Sequence, residues 1–183
     1  KLDRLRDGDI VVLAGSIPGS LPADTYQTIQ RRLAGRRIDT VVDATGELLL
    51  GALAHRPFLI KPNNHELGEL FGKTLRTPEE IAAHAKKLQE KGARNVLVSM
   101  AGDGALLAAE DGQILYSLPP KGRVVNSTGA GESMVAGFLA GYLETRDFRQ
   151  AFRMGLAAGA QAPFRTPGNQ RGSSAVAANA KHV

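Results

Sequence analysis

No cysteine and no tryptophan occur among the 183 residues. The first absence excludes a disulfide framework and any thiolate metal site. It also fits a reducing compartment, so a cytoplasmic location is expected. Aromatic residues make up 5% of the chain, too few for the base-stacking platforms of single-strand nucleic-acid binders. No apolar run reaches the roughly 18 residues that a membrane-spanning helix needs. The opening "KLDRLRDGDIVVL" lacks a signal-peptide layout, because its apolar part is short and leads into a strand pattern. No methionine stands at position 1, and the chain is expected to be a piece whose upstream part is missing. Charge of one sign is also scarce. The net +5 arises from 23 basic and 18 acidic residues, and the excess is concentrated after Ala162, where Arg165, Arg171 and Lys181 meet no acid. The body is nearly neutral, so neither nucleic acid nor a membrane surface is an expected partner.

What the chain does contain is a regular alternation. "DIVVLAG", "IDTVVDATG", "PFLIKPN" and "NVLVSMAG" are apolar, β-branched runs that read as buried parallel strands. Between them lie helical patterns: "ADTYQTIQRRLAG", "ELLLGALAH", "NHELGELFG" and "TPEEIAAHAKKLQEKG". The last has Thr77 as cap, Pro78 in first position, Glu80 closing a capping box and Gly92 as stop. "GALLAAEDGQILYSLP" reads as a hairpin around Glu110, Asp111 and Gly112. Two more helices follow, "GAGESMVAGFLAGY" and "DFRQAFRMGLAAGAQ". Such alternation predicts an α/β layered fold with a mainly parallel sheet and a late antiparallel hairpin. Ligands in these sheets bind beyond the carboxyl ends of the strands. That is where Ser16, Lys61, Asn63, Ser99 and Gly102 fall.

The stretch "STGAGES" carries the sharpest chemistry. A helix N-terminus presents unpaired N–H groups and about half a positive charge, and glycines let an anion approach them. Gly129, Ala130 and Gly131 would form such a cradle. Glu132 stands where a base could take a proton from a hydroxyl. A structural turn with an acid favouring the helix dipole is the plain alternative. In "KPNNHEL", Asn63 and Glu66 could support a hydrated magnesium ion or could be a simple helix cap with its capping box. In "SMAGDGALL", Ser99, Gly102 and Gly104 make a tight turn with or without a ligand. His65 has no partner at metal-ligand spacing and reads as a surface histidine. Neither a Walker P-loop nor a dinucleotide fingerprint is present.

Taken together and in this order, "VVLAGSIPGSLP", "FLIKPNNHELGELFG", "VLVSMAGDGALL" and "VVNSTGAGESMVAGFLAGY" resemble the C-terminal part of the ribokinase-like, phosphofructokinase-B family of sugar kinases. The likeness runs over about residues 9 to 160 and is nearest the 1-phosphofructokinase branch, with tagatose-6-phosphate kinases as near relatives. It implies a three-layer αβα ribokinase-like fold. It implies ATP and Mg2+ as cofactors and a sugar phosphate as substrate, fructose 1-phosphate becoming fructose 1,6-bisphosphate. By the same resemblance Glu132 takes the place of the catalytic base, and the backbone of Gly129, Ala130 and Gly131 that of the anion hole. Asn63 and Glu66 match the family's Asn-x-x-Glu element for magnesium and the ATP phosphates. Lys61, Asn63, Ser99, Gly102, Gly104 and Gly131 fall at nucleotide-contacting positions, and Ser16 near the phosphate already on the sugar.

Three departures stand against that pattern. The family reads GAGD where this chain reads GAGE, so a weakened kinase is expected. The family's N-terminal portion, with much of the sugar pocket and a β lid that commonly mediates dimers, has no counterpart. The chain alone is therefore expected to phosphorylate sugar poorly, and the sheet edge left behind to be an aggregation hazard. A nucleotide-binding remnant without transfer is the alternative. Finally, residues 1–161 form the kinase-like part, while 162–183 do not resemble the family's ending. One-base reading-frame slippage permits "LATREEAV" there, and low complexity predicts a disordered tail.

Overall fold

The computed structural model describes residues 2–100, 103–118 and 129–160, and the backbone of 176–178. Four parallel strands form its centre: β1 (Ile10–Ala14), β2 (Asp39–Asp43), β3 (Leu59–Ile60) and β4 (Asn95–Ser99). The hairpin β5 (Ala105–Ala108) and β6 (Ile114–Ser117) continues the sheet antiparallel, with Ala109 N–H donating to the Gln113 carbonyl across its turn. On the other edge β7 (Val176–Ala178) pairs antiparallel with β1. The strand order is β6-β5-β4-β3-β2-β1-β7. The edge of β1 that the sequence left open is thus filled over Ile10–Val12 by main-chain pairing, although nothing in "SSAVAANA" has strand periodicity. The rest of the 162–183 segment lies outside the described residues.

Two helical layers cover the sheet because side chains alternate across each strand. Val11, Leu13, Val42, Ile60, Val96, Val98, Leu106 and Ala108 point to one face. They meet α1 (Thr25–Leu33), α2 (Gly46–Leu53), α3 (Asn64–Glu69) and α4 (Pro78–Glu90) through Leu33, Leu49, Leu53, Leu67, Ile81 and Leu88. Ile10, Val41, Leu59, Leu97 and Leu107 point to the other, against α5 (Ala130–Thr145) and α6 (Phe148–Ala160). Phe58 and Phe138 are fully enclosed there, each contributing about 1.5–3 kcal/mol by burial. Both predicted faces and the capping box of α4 are present, with Glu80 N–H donating to Thr77 Oγ1 at 3.2 Å. The third predicted strand is only two residues long, because Pro57 and Pro62 flank it and cannot donate to a ladder.

Helices α5 and α6 pack backbone to backbone. A Cβ on Gly137 would lie 2.5 Å from the Met154 carbonyl, and one on Gly155 2.9 Å from the Met134 carbonyl. The side chains of Met134, Met154 and Ala158 pack around these crossings. No helix among the described residues is long and apolar enough to cross a membrane.

Candidate active site

The strand order brings the carboxyl ends of β1 to β4, the start of β5 and the N-terminus of α5 to one rim. Ser16 leaves β1 there in an exposed loop. Gly15 turns the chain with φ +85°, a left-handed value that favours glycine. Ser99 closes β4 and bridges Asn63, so the third and fourth strand ends are tied together. Gly104, at φ +97°, returns the chain into β5, and its carbonyl accepts from Met100 N–H at 2.9 Å. Gly102 lies outside the described residues.

Helix α3 begins at Asn63. Its Oδ1 accepts from Glu66 N–H at 2.8 Å, and Glu66 Oε2 accepts from Asn63 N–H at 2.8 Å. The capping box is therefore real. It uses one oxygen of each side chain and leaves Glu66 Oε1 without a partner among the described residues. Helix α5 begins differently. Its cap is Gly129 at φ +88°, with no side-chain bond to the first turn. A left-handed glycine admits no Cβ cheaply, so the first N–H groups of α5 point past bare backbone. Glu132, in that first turn, is exposed.

Lys61 follows β3 and is 8% exposed. Its Nζ lies 3.4 Å from Asp43 Oδ1 at the end of β2. The stem runs directly under α5, since a Cβ on Gly131 would fall 2.8 Å from Nζ. The absence of a side chain at 131 is what lets a buried ammonium sit against the helix start. Asp43 is the functional candidate that sequence reasoning missed. Burial pushes its carboxyl up, Lys61 opposes that, and the nearby carboxylates of Glu66 and Glu132 push it further up. Those three acids and one lysine consequently share one electrostatic neighbourhood. The available signal was an acid ending an apolar parallel strand, the same position logic that singled out Ser16 and Ser99.

Among the described residues no group of three His, Cys, Asp or Glu side chains is arranged as a metal cage. The donor set nevertheless fits magnesium, which is held by one or two carboxylates and keeps several waters. Glu66 offers a free oxygen and Asp43 a second carboxylate beside it.

Comparison with known proteins decides the family. The family described as pfkB family carbohydrate kinase matches residues 1–168. The chain belongs to the pfkB family of carbohydrate kinases. A pfkB relative, 1-phosphofructokinase of Bacillus subtilis (strain 168), is 51% identical over 160 residues, covering 87% of this chain and 52% of the relative. The crystal structure of phosphofructokinase-2 from Escherichia coli in complex with substrates and products superposes with a TM-score of 0.80 at 29% identity, over 87% of this chain and 52% of that one. Ribokinase of Arabidopsis thaliana, complexed with ribose and ATP, shares the fold at TM-score 0.68 and 24% identity, over 82% of this chain and 48% of that one. The chain spans about half the length of the relatives it matches. The ribokinase-like three-layer fold expected from the resemblance is thereby established.

Proposed function

We propose that the protein carrying this chain transfers the γ-phosphoryl group of ATP to a sugar phosphate, converting fructose 1-phosphate to fructose 1,6-bisphosphate. The observation that carries the reading is the uncapped N-terminus of α5, with a carboxylate in its first turn and a buried lysine beneath it. The likeness to a 1-phosphofructokinase supports the choice of sugar.

The chemistry follows from those groups. Glu132 accepts the proton of the sugar's C6 hydroxyl. The hydroxyl oxygen forms a bond to the γ-phosphorus, and the bond from that phosphorus to the β–γ bridging oxygen breaks, releasing ADP. Charge gathering on the transferred phosphoryl oxygens is met by the N–H groups of Gly129 to Gly131 and the helix dipole, already oriented before the reaction. Little else is needed, because phosphoryl transfer depends chiefly on positioning and charge stabilisation. Lys61, held by Asp43, keeps a fixed positive charge under the same helix end. Magnesium supplies neutralisation of the ATP phosphates when bound, and Glu66 with Asn63, next to Asp43, would hold it through its water shell. Lys61, Asn63, Ser99 and Gly104 line the rim where the nucleotide would lie, and Ser16 faces the sugar side.

The test is sugar-dependent ADP release by the whole protein that carries this sequence. Fructose 1-phosphate should stimulate release, and Glu132→Gln should abolish the stimulation. A protein that binds ATP yet releases no ADP with any sugar phosphate would instead be a nucleotide-binding remnant. The longer glutamate at 132 is the one observation favouring that second reading.

A further inference from the structure

The loop from Gly15 to Asp24 carries Ser16, yet few contacts tie it to the body. Its internal turns, Leu21 N–H to the Pro18 carbonyl at 2.9 Å and Thr25 N–H to the Pro22 carbonyl at 3.1 Å, hold it to itself rather than to the sheet. Ile17 packs partly against the core. At its far end Asp24 is bonded to Thr28 and Arg31 of α1; at its near end Gly15 is the anchor, and that residue is gripped on both sides. Its N–H donates to the Asp43 carbonyl at 3.0 Å. Its carbonyl accepts from the hydroxyl of Tyr26, on α1, at 3.0 Å.

Tyr26 is otherwise an apolar core residue, 7% exposed, in the same cluster as Leu33, Leu49 and Val42. A phenylalanine would fill that space equally well. The hydroxyl is therefore in excess of what packing requires, and its one bond goes to the carbonyl immediately before Ser16. Burial, and then the negative charge of Asp43, hold the phenol in its neutral, donating form. The same Asp43 supplies a carbonyl to Gly15 N–H and a carboxylate to Lys61. Gly15 itself is in the left-handed region, where small rotations swing the following residue widely and where little but hydrogen bonding fixes the direction of exit.

We infer that Tyr26 is a positioning residue for the sugar phosphate. Its hydroxyl clamps the Gly15 carbonyl, and so fixes the direction in which Ser16 and the loop behind it meet the phosphate group already on the sugar. The inference rests on the functional reading above. It ties the sugar side of the site to the Asp43–Lys61 pair on the transfer side, since Gly15 is bonded to both Tyr26 and Asp43. Tyr26 touches neither reactant and acts through Gly15 alone.

The experiment compares wild type with Tyr26→Phe, Ser16→Ala and the double variant in the whole protein, reading kcat and KM for fructose 1-phosphate and for ATP. Backbone hydrogen exchange of residues 15–21 is followed in the same samples. Tyr26→Phe is expected to raise KM for the sugar phosphate about tenfold, the loss of one hydrogen bond's worth of alignment, with kcat and KM for ATP within about twofold. Exchange across 15–21 should quicken while that of α4 and β4 stays unchanged. In the Ser16→Ala background Tyr26→Phe should add little, because both act on one contact. Unchanged exchange in the loop would overturn the inference whatever the kinetics. So would quickened exchange with an unchanged sugar KM in an active enzyme, or equal losses for sugar and ATP, which mean general loosening. If wild type phosphorylates no sugar phosphate, the functional reading fails and the sugar-positioning role fails with it; the exchange data then still show whether Tyr26 pins the loop.

Discussion

Helices α3 and α5 start at the same rim of the sheet and carry glutamate at the same third position, Glu66 and Glu132. Their ends are finished in opposite ways. In α3 an asparagine cap and the glutamate satisfy each other's backbone neighbours, so the helix end is closed by the chain itself. In α5 a left-handed glycine provides no capping atom, and the glutamate makes no hydrogen bond among the described residues. A capping box contributes about 1 kcal/mol to stability, and α4 has one too. The end that forgoes this contribution is the one beside the buried lysine. Position in the helix thus does not decide a glutamate's surroundings. The residue three places earlier does, by binding the first N–H groups or by leaving them without a side-chain partner.

Five changes would break or sharpen this contrast. The largest effect belongs to Glu132→Gln, which keeps size and removes the base. A fall in kcat of about 10²- to 10⁴-fold is expected, with the melting temperature nearly unchanged. Full turnover by the Glu132→Gln variant would place the base elsewhere. Gly131→Ala comes next. Alanine normally stabilises a helix over glycine by about 0.5–1 kcal/mol, but here its methyl must displace Lys61 from beneath the helix end. Turnover should fall about 100-fold without a loss of thermal stability, and a simultaneous collapse of both would make Gly131 merely structural. Glu132→Asp shortens the base by one methylene. Restoring the reach seen in the family pattern should raise kcat, by as much as about 100-fold if the present carboxylate is misplaced by about 1 Å, and an unchanged rate would show that the glutamate is accommodated. The smallest effect is at α3. Asn63→Ala should lower unfolding free energy by about 1 kcal/mol in denaturant titration. Glu66→Gln keeps a capping-box partner and should leave stability alone while raising the magnesium concentration for half-maximal rate. If both variants change stability only, the two glutamates differ even more than proposed, one wholly structural and one chemical.

How far the sequence carried this picture depends on the range of each interaction. The cap at Thr77 and the turn at Gly112 are built from residues within four positions of each other, so their signatures are local and the structure repeats them. The two covered faces of the sheet were legible because an unbroken apolar run on a strand implies burial on both sides. Asn63 and Glu66 were legible as a pair but not as a role, since the same spacing suits a helix cap and a cation site, and only the cap is on view. Asp43 was overlooked because its meaning comes from Lys61, which follows another strand, and from Gly131 much further along. Tyr26 was not singled out, because only the turn at Gly15 gives its hydroxyl a destination. The pairing of β7 with β1 is a main-chain event that hardly depends on which small side chains take part.

The glycine crossings of α5 and α6 have a mechanical consequence. At Gly137 and Gly155 a carbonyl of one helix lies where a Cβ on the other would stand, so a relative slide of the two helices meets backbone there. The pair acts as one strut, and the uncapped start of α5, the proposed phosphoryl cradle, is its tip. Any closing motion over the bound reactants must then swing the strut as a whole or leave it still and bring the opposite wall to it. The spacing between the ends of α5 and α6 should then stay the same during turnover by the whole protein, a prediction that distance labels on Glu144 and Ala160 could follow in real time.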